Sequence, residues 1–365
     1  MKKVIISGGG TGGHIFPAVA IADELKRQFP DIEILFVGAI GKMEMEKVPQ
    51  AGYKIVGLPI AGLQRKFTLS NFNLPFKILK SLLLARNTIK EFKPEVAIGV
   101  GGYASGPTLK MASMLGIPTM LQEQNGFAGK TNILLSKKAK AICVAYPGME
   151  KFFPKNKIIQ TGNPVRFEVT NIEGKRNEAT AFYDLNPSKP CVLVIGGSLG
   201  AKTLNESIIE GIEKFQAAGI QVVWQCGKIY HDTLEQRLQG KDLAGIHLTQ
   251  FIARMDLAYA AADVIISRAG AISVSELCLV GKPAILVPSP NVAEDHQTHN
   301  AMALVNAKAA LLVKDIDARK SLVEKVIELC LNQEQQTQLS TNILTLGKPN
   351  ATKDIVAVIK QLQAK

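Results

Sequence analysis

The sequence predicts an α/β protein built of two doubly wound parallel sheets, and three observations predict it. The chain has 365 residues, too many for one ordinary core and suited to two domains of about 150 to 200 residues each. Short Val/Ile-rich runs alternate with segments of helical period, the pattern of βαβ units. Glycine clusters directly follow three of those runs, at the points where a strand would turn into a helix.

In chain order, KKVIISG opens the first series, followed by a helix through 18–29, IEILFVG, a second helix, YKIVGL, and later VAIGVGG, PTMLQEQ and AICVAY. Continuous apolar runs of this kind are what parallel strands covered on both faces require. After a polar stretch at about 170–190 a second series runs PCVLVIGG, IQVVWQCG, GIHLTQF, ADVIISR, PAILVPS and AALLV, again separated by helical patterns. The expected division is an N-terminal domain over 1–163 and a C-terminal domain over 164–345, with a linker near 164–188. A final amphipathic helix over 351–365 should pack back on the first domain. Ligands of doubly wound sheets lie beyond the carboxyl ends of the strands, so two such Rossmann-like domains should face a cleft lined by strand-to-helix loops.

Composition bounds the class. With 47% hydrophobic and 20% charged residues, nearly all of the chain should fold. The five cysteines are odd in number, dispersed and without a C-x-x-C pair, which favours a reducing compartment. MKKVIISGGG is too short in apolar residues for a signal peptide, and no run reaches the roughly 18 residues of a spanning helix, so a cytoplasmic protein is expected. A net charge of +12 suits nucleic acid, an anionic membrane or phosphate-bearing substrates. Only 6% of residues are aromatic and no nucleic-acid module is present, which leaves the last two.

The first glycine cluster, Gly8-Gly9-Gly10-Thr11-Gly12-Gly13-His14, lets backbone approach an anion at a helix N-terminus. It lacks the Lys-Ser/Thr of a P-loop, and no acidic residue closes the second strand to take an adenosine ribose. That counts against a nicotinamide or flavin oxidoreductase. An ordinary tight turn would need one or two glycines, not five. The pattern recurs at Gly99–Pro107 and at Gly196-Gly197-Ser198-Leu199-Gly200, which suggests a site that handles several phosphates without a metal. Ser198 would serve equally as a plain helix cap.

The segments GGTGGH, GVGGYASGP, QEQNGFAGKTN, GNPVR, GGSLGA and SRAGAISVSELCLVGKPAILVPSP followed by DHQTHNA, over roughly residues 5 to 305, resemble the bacterial cell-wall glycosyltransferases of family 28 that convert lipid I to lipid II. The resemblance implies the GT-B fold, the donor UDP-N-acetylglucosamine (UDP-GlcNAc), an undecaprenyl-diphospho-N-acetylmuramoyl-pentapeptide acceptor (lipid I), inversion, and no cofactor or metal. It further implies donor contacts at Thr11, Gly12, Gly13, Asn125, Arg166, Ser198 and Ile252. Ala271, Ile272, Ser273, Val274, Ser275 and Glu276 would form a loop and first helical turn at the nucleotide, with Glu276 on the ribose, and Gln297 would read sugar hydroxyls. Gly101, Gly102, Tyr103 and Ser105 would face the acceptor diphosphate. The sequence departs from the family's pattern at Leu199, where glutamine is common, and at Gln122, where histidine often stands.

Inverting transfer needs a base for the acceptor hydroxyl and positive potential for the departing diphosphate. His14, a side chain that titrates near neutrality, is the candidate base. It could instead orient backbone or donate to the acceptor diphosphate, and Glu123 is a further candidate. No D-x-D cluster stands at a strand end. His296 and His299 stand near Glu294 and Asp295, where a zinc site is conceivable but no further ligands point to one. Within FTLSNFNLPFKILKSLLLAR, Phe72, Leu74, Phe76, Leu79 and Leu83 interleave with Lys77 and Lys80, as in a helix lying on anionic lipid; an ordinary core-facing helix would carry the same period. The expected location is the cytoplasmic face of the inner membrane. An epimerase or galactosyltransferase sharing the nucleotide end, or a non-catalytic binder, are the competing readings.

Overall fold

The computed structural model describes residues 1–60, 74–197, 199–292 and 295–363. Ser198, Phe72, Glu294 and the side chain of Leu74 lie outside the described residues. The chain divides into two compact units, Met1–Arg166 with Lys348–Lys365, and Phe167–Gly347.

The first unit runs β1 (Lys3–Ser7), α1 (Gly12–Gln28), β2 (Glu33–Ala39), α2 (Glu44–Gln50), β3 (Lys54–Leu58), α3 (Leu74–Phe92), β4 (Val96–Gly99), α4 (Ser105–Met114), β5 (Thr119–Glu123), α5 (Lys130–Ser136), β6 (Ala141–Val144) and β7 (Ile158–Gln160). Its seven strands pair in parallel in the order β3-β2-β1-β4-β5-β6-β7. The second unit runs α6 (Phe167–Thr170), α7 (Arg176–Phe182), β8 (Cys191–Ile195), α8 (Lys202–Ala217), β9 (Gln221–Gln225), α9 (His231–Leu238), β10 (Ile246–Thr249), α10 (Met255–Ala261), β11 (Val264–Ser267), α11 (Ala271–Val280), β12 (Ala284–Leu286), α12 (His296–Asn306), β13 (Leu311–Leu312), α13 (Ala318–Leu331) and α14 (Gln333–Thr345). Its six parallel strands follow the order β10-β9-β8-β11-β12-β13. Both sheets reverse direction once, between β1 and β4 and between β8 and β11, and these reversals are the places where doubly wound sheets bind ligands.

The helix α15 (Ala351–Gln363) closes the chain. Its Ile355, Val356 and Ile359 are buried in one core with Ile15, Val19 and Ala22 of α1, so the last helix belongs to the first unit.

Two expectations change. The helix expected from residue 18 begins at Gly12, so the end of the glycine cluster, Gly12 and Gly13, is already in the first helical turn. The stretch expected as a linker near 164–188 is folded: Val169, Ala179, Tyr183 and Leu185 sink into the second unit's core. Ion pairs pin it there, with Arg176 on Asp263 at 2.9 Å and Lys175 on Asp256 at 2.9 Å. The five cysteines are free and buried. Burial pushes the Cys143 thiol up to about 12, which removes it from nucleophilic chemistry.

Asp256 accepts from Arg254 Nε and Lys175 Nζ, each at 2.9 Å, and the Arg254 bonds hold its carboxyl well below the usual carboxylate range. A depressed acid contributes stability that is present above its unfolded value and is lost as pH falls through the folded one. Asp256→Asn should therefore cost about 2 kcal/mol at pH 7. In urea unfolding followed against pH, the gap to the parent should narrow below about pH 4.

Candidate functional site

In the first unit the β1–α1 and β4–α4 loops lie backbone to backbone. Gly9 N–H donates to the Gly101 carbonyl at 3.3 Å. A Cβ on Gly102, whose φ is +88°, would stand 2.4 Å from the Gly9 oxygen, so a side chain there would drive the loops apart. His14 sits in the first turn of α1 with Nδ1 3.0 Å from the Gly9 carbonyl. A carbonyl only accepts, so Nδ1 carries a hydrogen in this bond, and in the neutral ring Nε2 is then the nitrogen with the lone pair. The Nε2 edge faces Gly101, where a Cβ would approach to 2.8 Å. Thr11, the N-cap residue, makes no side-chain cap bond, and the first turn of α1 holds no acid. The first turn of α1 thus brings no cap or acid of its own to the amides of Gly12 and Gly13.

Tyr103 is 48% exposed beside this loop. Ser105, expected at the acceptor diphosphate, is instead fully buried, with Oγ 2.7 Å from the Ser7 carbonyl and 2.9 Å from that of Gly101. It braces the loop from beneath. Glu123, weighed as a base, is also buried. Its two oxygens accept from Asn125 N at 3.2 Å, Gly129 N at 3.1 Å and Asn132 Nδ2 at 2.9 Å, so it shapes the turn that carries Asn125. Gln122 is buried and donates to Asn163 Oδ1 at 3.2 Å, while Asn163 donates to the Gln124 carbonyl at 3.1 Å. The QEQN and GNP motifs thus hold one another. Arg166 lies 4.9 Å from the Phe16 ring centre, and its Nε is buried without a partner.

The second unit contains a cavity of about 320 Å³ at its own sheet reversal, lined by Gly197, Lys202, Tyr230, Arg268, Ser273 and Gln297. Two helix N-termini open onto it. The helix α8 starts after Ala201 and α11 after Gly270, neither with a side-chain cap or an acid in its first turn. The N-cap position of α8 is Ala201, and Ser198, considered as a cap, lies outside the described residues. Arg268 Nη1 donates to the Val287 and Pro288 carbonyls at 3.0 and 3.1 Å and pairs with Asp315, which also accepts from Thr203. Two helix dipoles, Lys202 and an Arg268 guanidinium held by Asp315, which also lines the cavity, make a site that suits a diphosphate.

The remaining expected donor residues divide. Gln297 gives its carbonyl oxygen to the Ser289 amide at 2.9 Å, which leaves its NH2 to face a ligand. Ile252 is buried and its amide donates to Gln225 Oε1 at 3.2 Å, so the carbonyl rather than the amide is what it can offer. Glu276 stands in the second turn of α11, not the first, and accepts from the Tyr259 hydroxyl at 2.8 Å. Ala271 opens that helix directly, with no loop between. Ile272 and Val274 are buried, and the Ser275 hydroxyl bonds back to the Ala271 carbonyl.

Arg268, Lys202 and Gln225 escaped the sequence reading. The arginine's signal was present, at the end of the run ADVIISR where a strand meets a glycine turn. In the first unit, α3 turns Phe76 (74% exposed), Leu79 (57%) and Leu83 (54%) outward and buries Ser81, Ala85 and Ile89. Lys77 and Lys80 are exposed beside them. The core-facing alternative fails for those three apolar residues. Among the described residues no helix is long and apolar enough to cross a membrane, and His296 and His299 join no three-ligand cluster.

Two parallel-sheet units, each with glycine-rich loops at its strand-order reversal, have the GT-B architecture. The chain belongs to glycosyltransferase family 28: the family's N-terminal domain matches residues 4–144 and its C-terminal domain residues 191–356. It is 57% identical to the UDP-N-acetylglucosamine--N-acetylmuramyl-(pentapeptide) pyrophosphoryl-undecaprenol N-acetylglucosamine transferase of Phocaeicola vulgatus, covering 100% of this chain and 97% of that protein. The crystal structure of Acinetobacter baumannii MurG is similar at 30% identity, with a TM-score of 0.73 over 99% of this chain and 100% of that one. A UDP-GlcNAc 2-epimerase from Neisseria meningitidis shares the fold alone, at 16% identity and a TM-score of 0.66, over 99% of this chain and 100% of that one.

Replacing Arg268 with methionine should weaken binding of a nucleoside diphosphate such as UDP about tenfold or more in calorimetric titration. Unchanged affinity in a folded variant would put the diphosphate elsewhere.

Proposed function

We propose that this chain is a glycosyltransferase of peptidoglycan synthesis that moves N-acetylglucosamine from UDP-GlcNAc to the 4-hydroxyl of the muramyl sugar in lipid I, with inversion, giving lipid II. The observation that carries this reading is the full-length likeness to a protein named for that transfer. The geometry supports a division of labour. Arg268, Lys202 and the N-termini of α8 and α11, with Ser198 on the same loop, would receive the diphosphate. Glu276 would accept the ribose hydroxyls, the Ile252 carbonyl would meet the base, and the Gln297 NH2 would read the sugar. Thr11, Gly12, Gly13, Asn125 and Arg166 are the proposed donor contacts of the first unit.

Gly101, Gly102 and Tyr103 would face the acceptor. Its hydroxyl oxygen attacks the anomeric carbon, the proton passes to His14 Nε2, and the bond from that carbon to the diphosphate oxygen breaks, leaving the charge on UDP. The positive groups around the cavity do what a divalent cation would otherwise do, and we propose that catalysis needs none. Glu123 is better read as the brace of the Asn125 turn, since three donors already occupy its carboxylate.

The lipid substrate calls for a membrane surface. We propose that Phe76, Leu79 and Leu83 of α3, flanked by Lys77 and Lys80, dock on the anionic cytoplasmic face of the inner membrane; Phe72 and the Leu74 side chain, also expected there, lie outside the described residues. Residues 47–149 contain 14 Lys and Arg but only Glu91, Glu95 and Glu123 as acids, and the last is buried. This stretch of the first unit is thus strongly cationic, as attraction to acidic lipid requires.

Purified protein given UDP-GlcNAc and a short-chain lipid I analogue should form the disaccharide product. His14→Ala should lower its turnover 100-fold or more with UDP affinity close to that of the parent; equal turnover would remove His14 from the chemistry. In sedimentation with anionic vesicles, Phe76→Asp with Leu79→Asp should abolish binding, and binding that ignores them would defeat the membrane reading.

A further inference from the structure

One carboxylate in the first unit has no part in the chemistry above. Glu44, the first residue of α2, is 1% exposed. Its Oε2 accepts from the Gly10 amide at 2.8 Å and its Oε1 from the Ala39 amide at 2.9 Å. The slot it fills is made by glycines: a Cβ on Gly9 would meet its carboxyl carbon at 2.2 Å, and one on Gly38 its Cγ at 2.5 Å. Burying a carboxylate is costly unless its hydrogen bonds are made, so a slot built around this one asks for a use.

The Gly10 amide and the Gly9 carbonyl are the two ends of a single peptide group. Glu44 holds the N–H end, and His14 Nδ1 bonds the C=O end at 3.0 Å. Hydrogen bonds in series polarise one another, so a negative charge on the N–H strengthens the carbonyl as an acceptor for Nδ1–H. We propose that Glu44 is a positioning residue for His14, acting through the Gly9–Gly10 peptide as a carboxylate acts directly on histidine in a catalytic triad. It fixes the Nδ1–H tautomer and the ring orientation and so keeps Nε2 open toward the acceptor. Glu44 itself touches no substrate.

The other groups around the ring do not supply this contact. The first turn of α1 holds no acid. The neighbouring β4–α4 loop contributes Tyr103, and Arg166 lies over Phe16 rather than on the loop. On α15, Lys353 acts on Glu24, ten residues and about 15 Å further along α1.

The proposal rests on His14 as the base, and its test separates the two. The protein has five histidines, so long-range proton–nitrogen spectra of histidine-labelled enzyme, assigned with a His14→Gln control, report the His14 tautomer. Parent protein should show Nδ1–H in the neutral ring. Glu44→Gln, which keeps the side chain's size and removes the charge, should mix the tautomers, move the Gly10 amide proton upfield, and lower kcat about 10- to 100-fold with KM for UDP-GlcNAc unchanged.

An Nε2–H tautomer in the parent overturns the relay, whether or not the variant folds. So does an unchanged tautomer and kcat in folded Glu44→Gln. His14→Ala at full turnover would instead remove the base reading and leave the tautomer result standing.

Discussion

Everything chemical in this protein depends on how closely backbone can approach backbone at the sheet reversals. In the first unit the Gly102 Cα comes so near the Gly9 peptide that no Cβ fits. In the second, a Cβ on Gly200 would lie 1.9 Å from the Cys226 oxygen. These contacts lock neighbouring strand-to-helix loops into one rigid floor. A loop held this way presents the same amides at the same place each time, which is the preorganisation that electrostatic stabilisation requires. The glycines are therefore needed first for loop against loop, and only then for loop against ligand.

The second constraint is electrostatic restraint. Helix N-termini are commonly closed by a polar cap or an acid in the first turn. The N-termini of α1, α8 and α11 have neither. Acids are not absent from their surroundings; they are set to work underneath. Asp315 steadies Arg268, Glu123 shapes the Asn125 turn, and Glu44 grips the Gly10 amide. Negative charge here organises the groups that carry the positive charge, and at the cavity of the second unit Asp315 shares the lining with Arg268 and Lys202.

Much of this was legible in the sequence, and what was missed has physical reasons. Strands such as CVLVI and VIIS declare themselves because both faces are buried, and the glycine clusters mark the reversals between β1 and β4 and between β8 and β11. The helix start at Gly12 was read six residues late because glycine is a poor helix former by propensity, and tertiary packing overrides it there. The stretch near 164–188 looked like a linker because its polar residues outnumber Val169, Ala179 and Leu185, yet those few are the ones that sink. Ser105 and Glu123 sit in motifs, and motifs do not say whether a side chain points at ligand or at its own loop. Glu44 and Arg268 carry no local signal of partnership, since their partners Gly10 and Asp315 lie 34 and 47 residues away.

The return of α15 to the first unit has a consequence for how the protein is made. Ile355, Val356 and Ile359 cover α1, yet they leave the ribosome after the whole of the second unit. The unit formed by Phe167–Gly347 is contiguous and can complete itself while synthesis is still under way. The half that begins the chain must wait for its final thirteen-residue helix, with Ile15 and Val19 uncovered until then. The usual order of domain completion, amino-terminal first, is thereby inverted, and the histidine-bearing loops acquire their finished backing only after the second unit has been made.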